Sequence, residues 1–131
     1  MVSIGIDLVD IDRCRHWAFK SKKQLSRLFS EQEIEYCLSI PTKSSERFAA
    51  RFAAKEALYK ALSPLSLKIP FLTLCKQSEI VYNPTPQFQV AQAIFASYPY
   101  KIHVSISHSQ KTAAAVVIIE SYISAASAVN S

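Results

Sequence analysis

The run from Ser44 to about Leu62 constrains this fold more than any other stretch, because it holds no glycine or proline and reads as one long helix. Ser44 or Ser45 can cap it, Pro41 breaks whatever precedes it, and Ser63-Pro64 ends it. At about 100° per residue, Ala49, Ala53, Glu56 and Lys60 fall in one narrow stripe. The two alanines allow close approach of another element, which would draw Glu56 and Lys60 into a packed surface. Charged groups are costly to desolvate there unless each has a partner. An exposed i,i+4 Glu–Lys pair is the plain alternative. Phe48, Phe52 and Tyr59 form an aromatic flank whose default role is core or subunit packing.

A second acidic position weighs against the plain alternative. Val2, Ile4, Ile6 and Leu8 alternate with Ser3, Gly5, Asp7 and Val9, which predicts a strand over residues 2–10. Gly5 is the single glycine in 131 residues and shares a strand face with Asp7. Its missing side chain leaves room for another backbone or a ligand. A strand carboxylate, a helix carboxylate and a helix lysine suit a hard-cation site beside phosphate. Mg²⁺ takes one or two carboxylates, keeps several waters and completes its shell with phosphate oxygens.

Composition narrows the classes. Half of the residues are hydrophobic and 19% are charged, so disorder is excluded, and 131 residues suit one domain. Three aspartates by residue 12 argue against a secretory signal, and Glu120 with several serines argues against a membrane span near the end. Cys14, Cys37 and Cys75 form no CxxC pair, which points to reduced cysteines in a cytoplasmic protein. The net charge of +5 is concentrated: Arg13, Arg15, Lys20, Lys22, Lys23 and Arg27 occur with no intervening acid. Such a face steers an acidic partner, and nucleic acid or an acidic small protein would both serve. Leu25 and Leu28 add apolar contacts.

The rest of the chain reads as short elements. Asp12 can cap a helix over residues 13–20, and Ser30 with Glu33 fits a capping box opening a helix to about Leu38. Residues 65–75 show no clear pattern. Strands are expected over 79–82 and 87–90 around the turn Asn83-Pro84-Thr85-Pro86, with a short helix over 91–97. Residues 103–107 and 113–120 form a hairpin across His108-Ser109-Gln110-Lys111. His103 reads as structural and His16 as exposed, whereas His108 ends a strand, where side chains often reach a ligand. The expected class is α+β: a compact single domain over 1–131, with the long helix packed on a small antiparallel sheet and 121–131 a polar tail.

Three segments carry a resemblance. Gly5-Ile6-Asp7-Leu8-Val9, Arg51 to Lys60, and His103 to Ser109 followed by Ala113-Ala114-Ala115-Val116-Val117 are similar, in order and approximate spacing, to holo-[acyl-carrier-protein] synthases. This is the small bacterial type of 4′-phosphopantetheinyl transferase. The resemblance implies transfer of phosphopantetheine from coenzyme A (CoA) to a serine of acyl carrier protein, in support of fatty acid biosynthesis, with release of adenosine 3′,5′-bisphosphate. It implies Mg²⁺ held by Asp7 and Glu56, Glu56 and Lys60 as catalytic groups, and cofactor contacts from Arg51, Lys60, Ser107 and His108. It implies carrier-protein contacts from Arg13 and Arg27, no nucleic acid or membrane partner, and a homotrimer with sites between subunits. Arg51 and Lys55 lie away from Glu56 around the helix, which suits the cofactor's periphery or a neighbouring subunit. Two departures stand out: the family's glycine-rich turn after the helix is Ser63-Pro64-Leu65-Ser66 here, and its Gly-Lys-Pro turn is Asn83 to Pro86.

Overall fold

Alternation along the first strand is what orients the molecule. The computed structural model describes residues 1–65, 67–91, 94 and 99–121. Strand β1 (Val2–Asp10) turns Ser3 and Gly5 inward and leaves Val2, Ile4, Ile6 and Leu8 in the open. It pairs antiparallel with β5 (Thr112–Ser121), which pairs antiparallel with β4 (Tyr100–His108), giving the sheet order β1-β5-β4. A second, two-stranded sheet joins β2 (Ser78–Tyr82) to β3 (Pro86–Val90).

Helix α3 (Ser44–Leu62) crosses the inner face of the larger sheet and is buried on most sides. Although α3 carries six charged residues, Ala, Phe and Leu side chains fill most of its buried positions, and it separates two apolar clusters. One joins its Ala54, Ala57, Leu58, Ala61 and Leu62 to Ala115, Val117 and Ile119 of β5. The other surrounds Phe48 and Ala49 with Ile11, Cys14, Leu25 and Phe29. Close approach occurs where the glycine predicts it. A Cβ on Gly5 would collide with the Ala57 carbonyl oxygen and lie 2.8 Å from the Ala61 nitrogen. Ser3 Oγ donates to the Ala61 carbonyl at 2.6 Å, fastening the same crossing. The open space beside Asp7 is thus filled by the backbone of α3.

Several boundaries differ from expectation. Residues 11–19 form a 3₁₀ helix (Ile11–Phe19) capped by Asp10, whose carboxylate accepts from Asp12 N–H at 3.2 Å. Asp12 is occupied instead with Arg15, 3.1 Å away. A short α1 (Lys22–Leu25) opens on a Ser21/Gln24 capping box. Helix α2 (Glu31–Leu38) carries the expected Ser30/Glu33 box. Ser44 is the first residue of α3, and no side chain caps it. The stretch without a pattern contains α4 (Phe71–Lys76), which starts after Pro70 and likewise lacks a side-chain cap. The expected helix over 91–97 and the polar tail lie almost wholly outside the described residues.

Lys55 overturns its expected role. Its side chain is fully buried, with Nζ 2.7 Å from Glu33 Oε1, 2.8 Å from the Leu28 carbonyl, and 3.1 Å from the carbonyls of Cys75 and Ser78. Glu33 completes its own shell by accepting from Ser30 N–H at 2.8 Å and Ile80 N–H at 3.1 Å. The pair ties α2, α3, α4 and β2 together. It touches neither a cofactor periphery nor a neighbouring subunit.

Candidate active site

Asp7 and Glu56 do meet. Asp7, Asp10, Arg13, His16, Trp17, Phe52 and Glu56 line one cleft of about 450 Å³ between β1, the 3₁₀ helix and α3. Strand alternation puts Asp7 on the inner face, two residues beyond the Gly5 contact, so the closeness of strand to helix brings its carboxylate to α3. Lys60 closes the cluster: Nζ donates to Asp7 Oδ1 at 2.9 Å and to the Ile6 carbonyl at 3.2 Å. Half of the Lys60 side chain stays exposed, while Asp7 is largely covered. The Glu56 carboxyl is pushed above its ordinary range, first by burial and next by the Asp7 charge, with Lys60 pulling the other way. Two carboxylates in one cleft, one of them opposing the ionisation of Glu56, form a seat for a cation. Among the described residues no cluster of three or more His, Cys, Asp or Glu side chains could hold a metal. The set therefore suits Mg²⁺ with a substrate-completed shell and does not suit a closed zinc cage. Cys14 also borders the cleft, but burial pushes its thiol up to about 11, which leaves no thiolate nucleophile at neutral pH.

A second pocket, of about 250 Å³, opens on another side of α3 and brings Arg51 together with His108. Lys43, Glu46 and Arg47 share it, with Tyr36 and Tyr82 beside them. Arg51 is only 3% exposed, and its guanidinium carbon lies 4.3 Å and 5.3 Å from the centroids of Tyr36 and Tyr82. Its Nε is buried without a hydrogen-bond partner among the described residues. A desolvated guanidinium with an unspent donor, clamped by two aromatic rings, is arranged to receive an anion. Ser107 does not join it. The alternation of β4 turns Ile106 inward and Ser107 outward, on the face it shares with His103 and Ser105. His103 is exposed and pairs with Glu120 at 3.2 Å, as a structural residue would.

Of the two residues expected to meet a carrier protein, Arg13 lines the Asp7 cleft, whereas Arg27, past the end of α1, does not. Among the described residues Arg13, Lys20, Lys23 and Arg27 have no carboxylate partner, while Arg15 pairs with Asp12 and Lys22 with Glu31. Phe19, within this basic stretch, is 90% exposed. His16, expected merely to be exposed, borders the same cleft as Glu56. A signal for the second pocket was present in the sequence: Lys43, Arg47 and Arg51 recur every four residues, which puts three cations on one helical face.

Residues 3–123 match the sequence pattern of the 4′-phosphopantetheinyl transferase superfamily. The chain belongs to that superfamily. Within it, the chain is 36% identical over 122 residues to a holo-[acyl-carrier-protein] synthase of Treponema denticola, covering 92% of this chain and 98% of the relative. A synthase of the same name from Chlamydia trachomatis is 37% identical over 125 residues, covering 92% and 100%. Among solved structures, the Bacillus anthracis holo-(acyl-carrier-protein) synthase in complex with CoA (3′,5′-ADP) superposes with a TM-score of 0.72 at 28% identity, over 91% of this chain and 96% of that one. The Helicobacter pylori synthase in complex with coenzyme A gives 0.68 at 30% identity, over 89% and 99%. The α+β architecture of this transferase, a long helix on a small antiparallel sheet, is the architecture of those enzymes.

Proposed function

We infer that the chain transfers 4′-phosphopantetheine from CoA to a serine of apo acyl carrier protein, giving the holo carrier of fatty acid biosynthesis and adenosine 3′,5′-bisphosphate. The observation that carries this reading is the meeting of Asp7, Glu56 and Lys60 in one cleft, within a chain whose full-length relatives bear that activity in their names. Phosphoryl transfer of this kind depends on positioning and charge neutralisation more than on covalent chemistry by the protein.

Asp7 and Glu56 would hold Mg²⁺, which supplies charge neutralisation at the pyrophosphate when bound. The chain's own groups do the rest. Lys60, half exposed and already balancing Asp7, carries the positive charge that faces the leaving phosphate. Burial keeps Glu56 a stronger base than an exposed carboxylate, so it can orient a water against the serine hydroxyl. Arg13 at the cleft's rim, with Lys20, Lys23 and Arg27 along the same stretch, draws in the acidic carrier.

CoA carries a pyrophosphate and a 3′-phosphate monoester. With the pyrophosphate assigned to the carboxylate cleft, the Arg51–His108 pocket takes the monoester. The two sites lie on different sides of α3, so one ligand reaches both only if two subunits contribute. The outer face of the larger sheet supports such an assembly. Val2, Ile4, Ile6 and Leu8 are each more than 60% exposed, beside the half-buried Ala114, Val116 and Ile118 of β5. A continuous apolar band of this kind marks an interface, and the homotrimer is the assembly we propose for it, in the cytoplasm.

Incubation of the protein with CoA, Mg²⁺ and authentic apo carrier should make the carrier heavier by one phosphopantetheine group in intact-mass spectra. An unchanged mass at ample enzyme and metal sinks the assignment. Full activity of both Asp7→Ala and Glu56→Ala would leave the enzyme class standing and remove the metal site.

A further inference from the structure

The Arg51–His108 pocket contains one group at odds with anion binding, the carboxylate of Glu46. Glu46 Oε1 lies 2.9 Å from His108 Nε2, and the Ser109 carbonyl oxygen lies 3.2 Å from Nδ1. A carboxylate and a carbonyl only accept, so each ring nitrogen already faces an acceptor. While Glu46 holds it, His108 has no N–H left for a ligand. Arg47 is also occupied, with Nη1 donating to the Tyr36 carbonyl at 2.9 Å and to Ser39 Oγ at 3.1 Å. Arg51 keeps its unspent Nε. The pocket thus gathers the cations Lys43, Arg47 and Arg51, with its imidazole covered by an acid from the first turn of α3.

We propose that Glu46 is an internal stand-in for the 3′-phosphate: it holds His108 when the pocket is empty, yields it on binding, and thereby weakens the grip on the bisphosphate product. This rests on the assignment of the pocket to the monoester end of CoA. The role follows from exchange. A phosphate arriving at His108 replaces one acceptor by another and gains no new imidazole bond, while it brings negative charge beside a displaced carboxylate. Affinity for the phosphate is lowered by about what the Glu46–His108 contact is worth, which favours release after each turnover. A ligand without a 3′-phosphate leaves the contact in place and is indifferent to it.

The test is equilibrium binding of adenosine 3′,5′-bisphosphate and of AMP to the full chain, its Glu46→Gln variant and its His108→Gln variant. Glu46→Ser serves beside Glu46→Gln, because glutamine can still accept from the imidazole. Removing the carboxylate should tighten the bisphosphate roughly three- to fivefold, the size a half-exposed ion pair allows, and leave AMP unchanged. The product's inhibition constant in the transfer assay should fall by the same factor. In the His108→Gln background the gain should vanish. Bisphosphate binding that is unchanged or weaker in both Glu46 variants, with melting temperature intact, overturns the proposal. So does equal tightening of AMP, which would indicate general charge relief. Should His108→Gln bind the bisphosphate as the parent does, the pocket assignment fails first and the role of Glu46 falls with it.

Discussion

Lys55 and Lys60 lie on the same helix, five residues apart, and do opposite things. Lys55 is sealed between α2, α4 and β2, with one carboxylate and three carbonyls around its ammonium. Lys60 is half in water, with one carboxylate and one carbonyl. What separates them is the partner each carboxylate brings. Glu33 is itself saturated by two backbone N–H groups, so the pair is closed and rigid. Asp7 shares its cleft with Glu56, whose carboxyl is held above its ordinary range, so that cluster keeps an appetite for positive charge. A saturated buried pair fixes the fold, and an unsaturated half-exposed one can bind.

The comparison breaks most decisively at Lys55. Lys55→Ala strands the Glu33 carboxylate in the interior, which should cost about 3–5 kcal/mol of stability. Lys60→Ala should cost under about 1 kcal/mol, as exposed pairs do. Urea unfolding of the two variants side by side reads the difference, and equal midpoints would erase it. Activity should reverse the ranking. Lys60→Ala should lose about a hundredfold in kcat/KM, the scale for a group that stabilises developing charge, at unchanged melting temperature. The folded fraction of Lys55→Ala should retain its KM for CoA.

That contrast was only half legible in the sequence. Ser30 with Glu33 reads correctly as a capping box, because its logic is local. The bonds from Glu33 to Lys55 and Ile80 span 22 and 47 residues, and no periodicity encodes them. Asp7, Glu56 and Lys60 were readable because alternation on β1 and the helical stripe on α3 each fix a face, and Gly5 marks the contact between them. Asp10 took the cap expected of Asp12 because the helix it opens is 3₁₀ and begins two residues earlier. Helix α4 stayed hidden for want of a side-chain cap or a long apolar repeat. Ser107 and His108 were read as one motif, whereas strand alternation sends them to opposite faces of β4, so the two cannot line one pocket of a single subunit.

Gly5 sharpens the comparison at smaller cost. Gly5→Ala pushes a methyl into the backbone of α3 at Ala57 and Ala61, and overpacking of this kind costs about 1–3 kcal/mol. Because β1 must retreat from the helix, Asp7 withdraws from Glu56 and Lys60 as well. The variant should therefore lose stability and raise the Mg²⁺ requirement together. Lys55→Ala should leave the Mg²⁺ requirement of its folded fraction alone. Titrating Mg²⁺ in the transfer assay distinguishes the two, and a Gly5→Ala enzyme with the parent's requirement would uncouple the crossing from the site.

The smallest effect expected is in pH, and its sign follows from Glu56. Burial and the Asp7 charge raise its carboxyl in the folded protein, so between the ordinary carboxylate range and that raised value the folded state binds a proton the unfolded state has released. In the absence of metal, this contribution to stability is complete at low pH and is lost as pH rises through the folded value. Mg²⁺ acts on the ionised form and should offset the loss, releasing a proton as it binds. Thermal melts without Mg²⁺ should therefore show a shallow decline with rising pH across that window, flattened by Glu56→Gln and by added Mg²⁺. The Mg²⁺ needed for half-maximal transfer should rise as pH falls through the same window, because protons then compete for Glu56. A slope that survives Glu56→Gln would move the titrating group elsewhere in the cleft and leave the two lysines distinguished by stability alone.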